Sequence, residues 1–197
     1  MNERHVVGVD TGHAGTLREA DHLLRELAAE LGLDADVPGC THHVRDGLRP
    51  HTALSFALPS ERAARAVRQR LTGNGSGERL GVAHGEDRYG PGELAAGAAH
   101  AAAEHGARTG GRAVLYPGSG AVTGVLTVAR LLEVSAVERV VVLGSPGEPS
   151  PEAELVTRGH VRPEWREGRL VLAVMPAAGG ILVPFEVPDP TPCCAGH

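Results

Sequence analysis

The side chains best suited to chemistry cluster at the C-terminus, where Cys193, Cys194 and His197 stand in the run Cys-Cys-Ala-Gly-His. Two thiolates and an imidazole are the donor set that holds Zn2+ or another borderline ion. Their spacing departs from the usual C-x₂₋₄-C, because neighbouring side chains seldom both reach one tetrahedral centre. Histidine is plentiful, with 11 in the chain. Cys40, His42 and His43 share the stretch Gly-Cys-Thr-His-His-Val, His13 follows an apolar run, and His84 precedes Glu86 and Asp87. The expected ligands are His13, His42, His43, His84, Cys193, Cys194 and His197, around Zn or Fe. The metal would activate water, with Glu86 or Asp87 as general base.

A second chemistry is written into Gly118-Ser119-Gly120-Ala121-Val122-Thr123-Gly124, which follows a predicted strand and opens a predicted helix. Backbone amides at a helix N-terminus seat anions, so Gly118, Ser119, Gly120 and Thr123 are the expected phosphate or carboxylate contacts. The spacing misses the dinucleotide fingerprint by one residue, and the next strand ends in Leu143-Gly144-Ser145 without the acidic residue that would hold a ribose. Ser119 lacks the flanking glycines of a G-x-S-x-G nucleophile. Asp10-Thr11-Gly12 matches the aspartic-protease tripeptide, but a helix follows where a hairpin is needed. His100, Glu104 and His105 lie on an alanine-rich helix at offsets that fit neither zinc-protease motif, and His100 with Glu104 reads as an i, i+4 pair.

The elements that must position these groups alternate in type. Val6 to Val9 is a strand. Thr16 and Glu19 form a capping box for a helix whose Leu17, Ala20, Leu24, Leu27 and Leu31 recur at helical spacing until Gly32. Residues 33–50 read as loop or irregular hairpin. Thr52, Leu54, Phe56 and Leu58 alternate as a strand over 51–58, and Ser60 caps a helix to Leu71. A strand at 79–84, a helix at 93–105, a strand at 113–116, a helix at 122–134 and a valine-rich strand at 137–143 follow. Two final strands, 170–175 and 181–187, flank Ala-Ala-Gly-Gly as an antiparallel hairpin. The expected fold is an α/β three-layer sandwich with a mostly parallel or mixed sheet, a single domain over 1–187 and a tail over 188–197. In a parallel sheet, loops at the strands' carboxyl ends line one crevice, so His13 and His84 would converge there.

Composition narrows the field. All 19 basic residues are arginine, which removes Schiff-base lysine chemistry and the Walker A lysine. A net charge of −5 with 3% aromatics speaks against nucleic-acid binding. The absence of a leader-like start, of a long apolar run and of a disulfide framework predicts a cytoplasmic, bacterial-type protein without a membrane partner. The expected function is a metal-dependent enzyme, hydrolase- or lyase-like, acting on a small molecule. The alternatives are an anion-seating protein using the Gly118–Gly124 loop, and a metal-binding or redox-sensing module.

Overall fold

A computed structural model describes residues 5–45, 49–73 and 79–187. The chain divides into two compact units, one of residues up to 117 with 164–169, the other of 118–163 with the residues from 170 on. The fold is mixed α/β, and its strands pair mostly antiparallel.

The first unit opens with β1 (His5–Asp10), α1 (Leu17–Glu30), β2 (Gly39–Val44), β3 (His51–Leu58), α2 (Glu61–Thr72) and β4 (Gly81–His84). This is a split-βαβ, ferredoxin-like connectivity. Then come β5 (Asp87–Tyr89), α3 (Gly92–Ala107), β6 (Arg112–Leu115) and, from later in the chain, β10 (Glu164–Arg166). The strands lie in the order β5-β4-β1-β3-β2-β6-β10, each neighbour antiparallel to the next.

Local chemistry starts each of these helices. The Thr16 hydroxyl accepts the Glu19 amide while the Glu19 carboxylate takes the Thr16 amide, the reciprocal box expected from the sequence. Ser60 accepts the Ala63 amide at the start of α2.

Alternation then sorts the sheet's two faces. Val7, Val9, Leu54, Phe56, Leu58 and Val82 form one apolar cluster with Leu24, Ala28, Val67 and Leu71 of α1 and α2. The other face belongs to α3, whose buried residues are Ala95, Gly97, Ala98, Ala101 and His105. Small residues let this helix sit very low. A Cβ on Gly8 would fall 1.9 Å from the Ala98 carbonyl oxygen, and one on Gly81 would fall 2.1 Å from that of Leu94.

The second unit contains β7 (Val125–Thr127), α4 (Val128–Val134), β8 (Arg139–Val142), β9 (Glu154–Val156), β11 (Arg169–Pro176) and β12 (Leu182–Pro184). Its strand order is β8-β11-β12-β9-β7. β8 pairs parallel with β11 and β9 with β12, whereas β11–β12 and β7–β9 are antiparallel.

Three expectations are corrected here. The sheet is mixed but not mostly parallel: among the described residues, the two parallel pairings both lie in the second unit. Residues 33–50 are not all irregular, since β2 pairs with both β3 and β6. The helix expected over 122–134 is a 3-10 turn at Ser119–Ala121, then β7, then the seven residues of α4. Gly124 at φ 68° turns the chain before the β-branched run that pairs with β9, and Thr127 caps the helix through the Arg130 amide. No described helix is long and apolar enough to cross a membrane.

Candidate metal centre

β2 and β3 pair with Cys40 opposite Ser55 and His42 opposite Ala53. Directly opposed residues in an antiparallel pair project to the same face, and Ala53 packs with Val44 and Ala101 of α3. Cys40, His42 and Ser55 therefore all face α3, whose last turns bring Glu104 and His105 over them.

The result is a continuous chain of polar groups in the core. His42 Nδ1 lies 2.9 Å from Glu104 Oε2, and His42 Nε2 lies 2.8 Å from Ser55 Oγ. Ser55 Oγ is 2.7 Å from His105 Nδ1, and His105 Nε2 is 3.8 Å from Cys40 Sγ. Cys40 and Ser55 are fully buried, His42 and His105 nearly so, while the Glu104 side chain is one-third exposed.

Burial pushes the His42 imidazole below its ordinary value, against the hydrogen bond and charge of Glu104. The hydrogen bond from His42 holds the Glu104 carboxyl below the usual range, although partial burial opposes it. These directions favour a neutral imidazole beside an ionised carboxylate. The carboxylate only accepts, so Nδ1–H of His42 donates to it and Nε2 is a bare lone pair that accepts the Ser55 hydroxyl. Ser55 oxygen in turn accepts Nδ1–H of His105, whose Nε2 is turned to the Cys40 sulfur.

The surroundings are shaped to this chain. Gly111, at φ 103°, lies where a Cβ would come within 2.4 Å of His42 Cε1, so glycine alone gives that ring its room. Trp165 of β10 stacks at an angle on His105, ring centres 6.3 Å apart, and the Arg108 guanidinium covers the indole at 4.9 Å. The Trp165 indole nitrogen is buried and has no hydrogen-bond partner among the described residues.

Cys40, His42 and His105 each present one donor atom, all within 4.8 Å of one another. Zn–S near 2.3 Å and Zn–N near 2.0–2.1 Å at tetrahedral angles set S···N at about 3.6 Å, close to the 3.8 Å found. Each histidine has its Nδ1 held, His42 by the Glu104 carboxylate and His105 by the Ser55 oxygen, as metal-bound imidazoles usually are, and the Ser55 hydroxyl would give up His42 Nε2 to the ion. The donor set fits a borderline-soft ion.

The other expected site residues are dispersed. His13 is exposed beyond the end of β1, and His84 ends β4 at the opposite edge of the sheet, opposite Val7. The crevice rule needs parallel strands, and antiparallel pairing sends these two loops apart. His43 is exposed, since it alternates away from His42. Glu86 is exposed in the β4–β5 turn, and Asp87 is paired with Arg68. Neither adjoins the buried chain as a general base. Gly118, Ser119, Gly120 and Thr123 form a turn that opens no α-helix, so no helix N-terminus stands behind their amides. Cys193, Cys194 and His197 lie outside the described residues.

Sequence reasoning placed His42 among the ligands and paired Glu104 with His100, a contact present at 3.6 Å, but it passed over Ser55 and left Cys40 and His105 without a role. The available signal was period two: Cys40 and His42 are i and i+2, as are Ala53 and Ser55. No protein-family model, no curated protein and no solved structure matches this chain.

Proposed function

We propose that this protein holds one transition-metal ion at Cys40, His42 and His105, with Zn2+ the first choice and Fe2+ the second. The observation that carries the reading is a thiol and two imidazoles gathered in the core with both imidazoles anchored from behind. An interior histidine–cysteine cluster is costly to desolvate, and a bound cation offsets that cost.

Among the described residues the cluster offers three protein donors, which would leave a fourth position for a ligand. This supports a metal-dependent enzyme, hydrolase- or lyase-like, acting on a small molecule and not on nucleic acid. When bound, the ion would supply Lewis acidity. Glu104 fixes the tautomer and orientation of His42, and its exposed edge gives the buried chain a route for protons to solvent. Ser55 does the same positioning work for His105. A thiolate ligand is best preserved in a reducing compartment, in keeping with a cytoplasmic protein.

Metal analysis of untagged protein tests the proposal. At least one equivalent of zinc or iron is expected, with His105→Ala losing one equivalent. Cobalt substitution should give a thiolate-to-metal charge-transfer band. Truncation after residue 187 separates this centre from one that needs Cys193, Cys194 or His197. Metal-free protein that takes up neither Zn2+ nor Co2+ sinks the reading.

A further inference from the structure

On the other face of the sheet, at the start of β1, a second group of donors meets, and it shares no residue with the first. Val7 is paired with His84 in the β1–β4 register, and His5 lies two residues before Val7. Alternation therefore puts His5, Val7 and His84 on one face, the face that α1 and α2 cover. Glu61, the first residue of α2, comes down between the two histidines. Its Oε2 atom is 3.1 Å from His5 Nδ1 and 3.2 Å from His84 Nε2. Its other oxygen, Oε1, is held by Arg65 at 2.7 Å.

Two imidazoles and one carboxylate, brought by the start of a strand, the end of another and the first turn of a helix, are the donors of a facial triad. Ligands about 2.1 Å from an octahedral ion and at right angles are about 3.0 Å apart, and the two measured edges are close to that. Solvent reaches the group from one side: Glu61 is 42% exposed and His5 26%, whereas His84 is nearly buried. An ion here would keep coordination positions free for water or a ligand oxygen. Among the described residues, Arg65 pairs with Glu61, and Asp87, which faces His84 across the β4–β5 pair, is paired with Arg68.

We infer that His5, Glu61 and His84 form a second divalent-cation site, octahedral and of the Fe2+ or Mn2+ kind, distinct from the thiolate centre in the core. The Arg65 guanidinium competes with the ion for Glu61, so affinity is set by how readily that pair opens. The two centres differ in hardness, and this lets one ion report on one site. Mn2+ favours carboxylate and imidazole over thiolate.

Mn2+ titration of the full chain, followed by the loss of the free-ion paramagnetic resonance signal, tests this. One saturable Mn2+ is expected, unchanged in Cys40→Ser and weakened at least tenfold in both Glu61→Gln and His5→Ala. Arg65→Met should tighten it. Both ligand variants alter partly exposed side chains, and thermal melts check that each is folded. Should His5→Ala fail to fold, Glu61→Gln alone decides. Absence of saturable Mn2+ binding, or binding equal in Glu61→Gln and wild type, overturns the inference and leaves three residues joined by hydrogen bonds only. Loss of Mn2+ in Cys40→Ser would also overturn it, by placing the ion in the core.

Discussion

The core cluster of Cys40, His42 and His105 and the rim cluster of His5, Glu61 and His84 use nearly the same residue types in opposite surroundings. In the core, both imidazoles are anchored through their second nitrogen and water is excluded. At the rim, the carboxylate is the hub, its second oxygen belongs to an arginine, and solvent reaches the group. Burial makes the first cluster selective and unforgiving, while exposure makes the second adaptable and weak. The edge lengths agree with this division, at 3.8 Å for sulfur to nitrogen in the core and 3.1 Å and 3.2 Å for nitrogen to oxygen at the rim.

The largest effect that would test this contrast is removal of the sulfur. Cys40→Ser should lower Zn2+ affinity by more than about a hundredfold, beyond the range of outer-partner losses, and leave Mn2+ binding intact. Competition with a chromophoric chelator measures the first. Glu104→Gln comes next, with an expected loss of about ten- to a hundredfold in Zn2+ affinity. Its amide can present the wrong dipole to His42 Nδ1–H while preserving shape. Equal loss of Mn2+ in this variant would mean that the two clusters are not independent.

Two glycines, one beside each cluster, compare the packing itself. Gly111→Ala should cost about 2–4 kcal/mol, because a positive φ is strained for alanine and the new methyl has no space. Gly85, next to His84, also has positive φ, but nothing stands within 4 Å of its missing Cβ. Gly85→Ala should cost only about 1 kcal/mol. Urea unfolding reads both, and similar costs would contradict the account of the core.

The smallest effect is on pH. His42 sits below the ordinary imidazole value of 6.5, so its contribution to metal-free stability is complete above about pH 6.5 and is lost as pH falls. His51, on β3, goes the other way. Burial would lower it, but the Arg49 carbonyl and the Asp10 carboxylate outweigh burial and raise it. Its contribution is complete below 6.5 and is lost as pH rises through the raised value. Shifts of a few tenths of a molar in urea midpoint are expected. His42→Gln should flatten the acid limb and His51→Gln the alkaline one.

Much of the first unit was legible from local rules. The capping box at Thr16 and Glu19, the Ser60 cap and the alternation through Leu54, Phe56 and Leu58 all mark real elements, because each depends on neighbours in the chain. β2 was not legible. Its inward residues are Cys40, His42 and Val44, and a strand that buries polar groups lacks the apolar alternation that announces strands. The direction of pairing was equally hidden, since His13 and His84 each follow a strand whether the sheet is parallel or antiparallel. Only long-range register decides whether they meet. The turn at Gly118 failed for another reason: valines at 122, 125 and 128 fall at helical spacing, but Gly124 at positive φ interrupts them and only Val125 lies in the strand.

The contact between α3 and the bare faces of Gly8 and Gly81 has a last consequence. Most helices rest on side chains, which can rotate or splay to absorb a misfit. This one rests on backbone, and backbone cannot be adjusted. The height of α3 above the sheet is thereby a fixed gauge, and Glu104 and His105 hang from its far end over Cys40 and His42. Any preference of the core centre for ions of one radius would thus be inherited from missing side chains two turns away, and enlarging Gly8 by one methyl should change which metal the protein keeps.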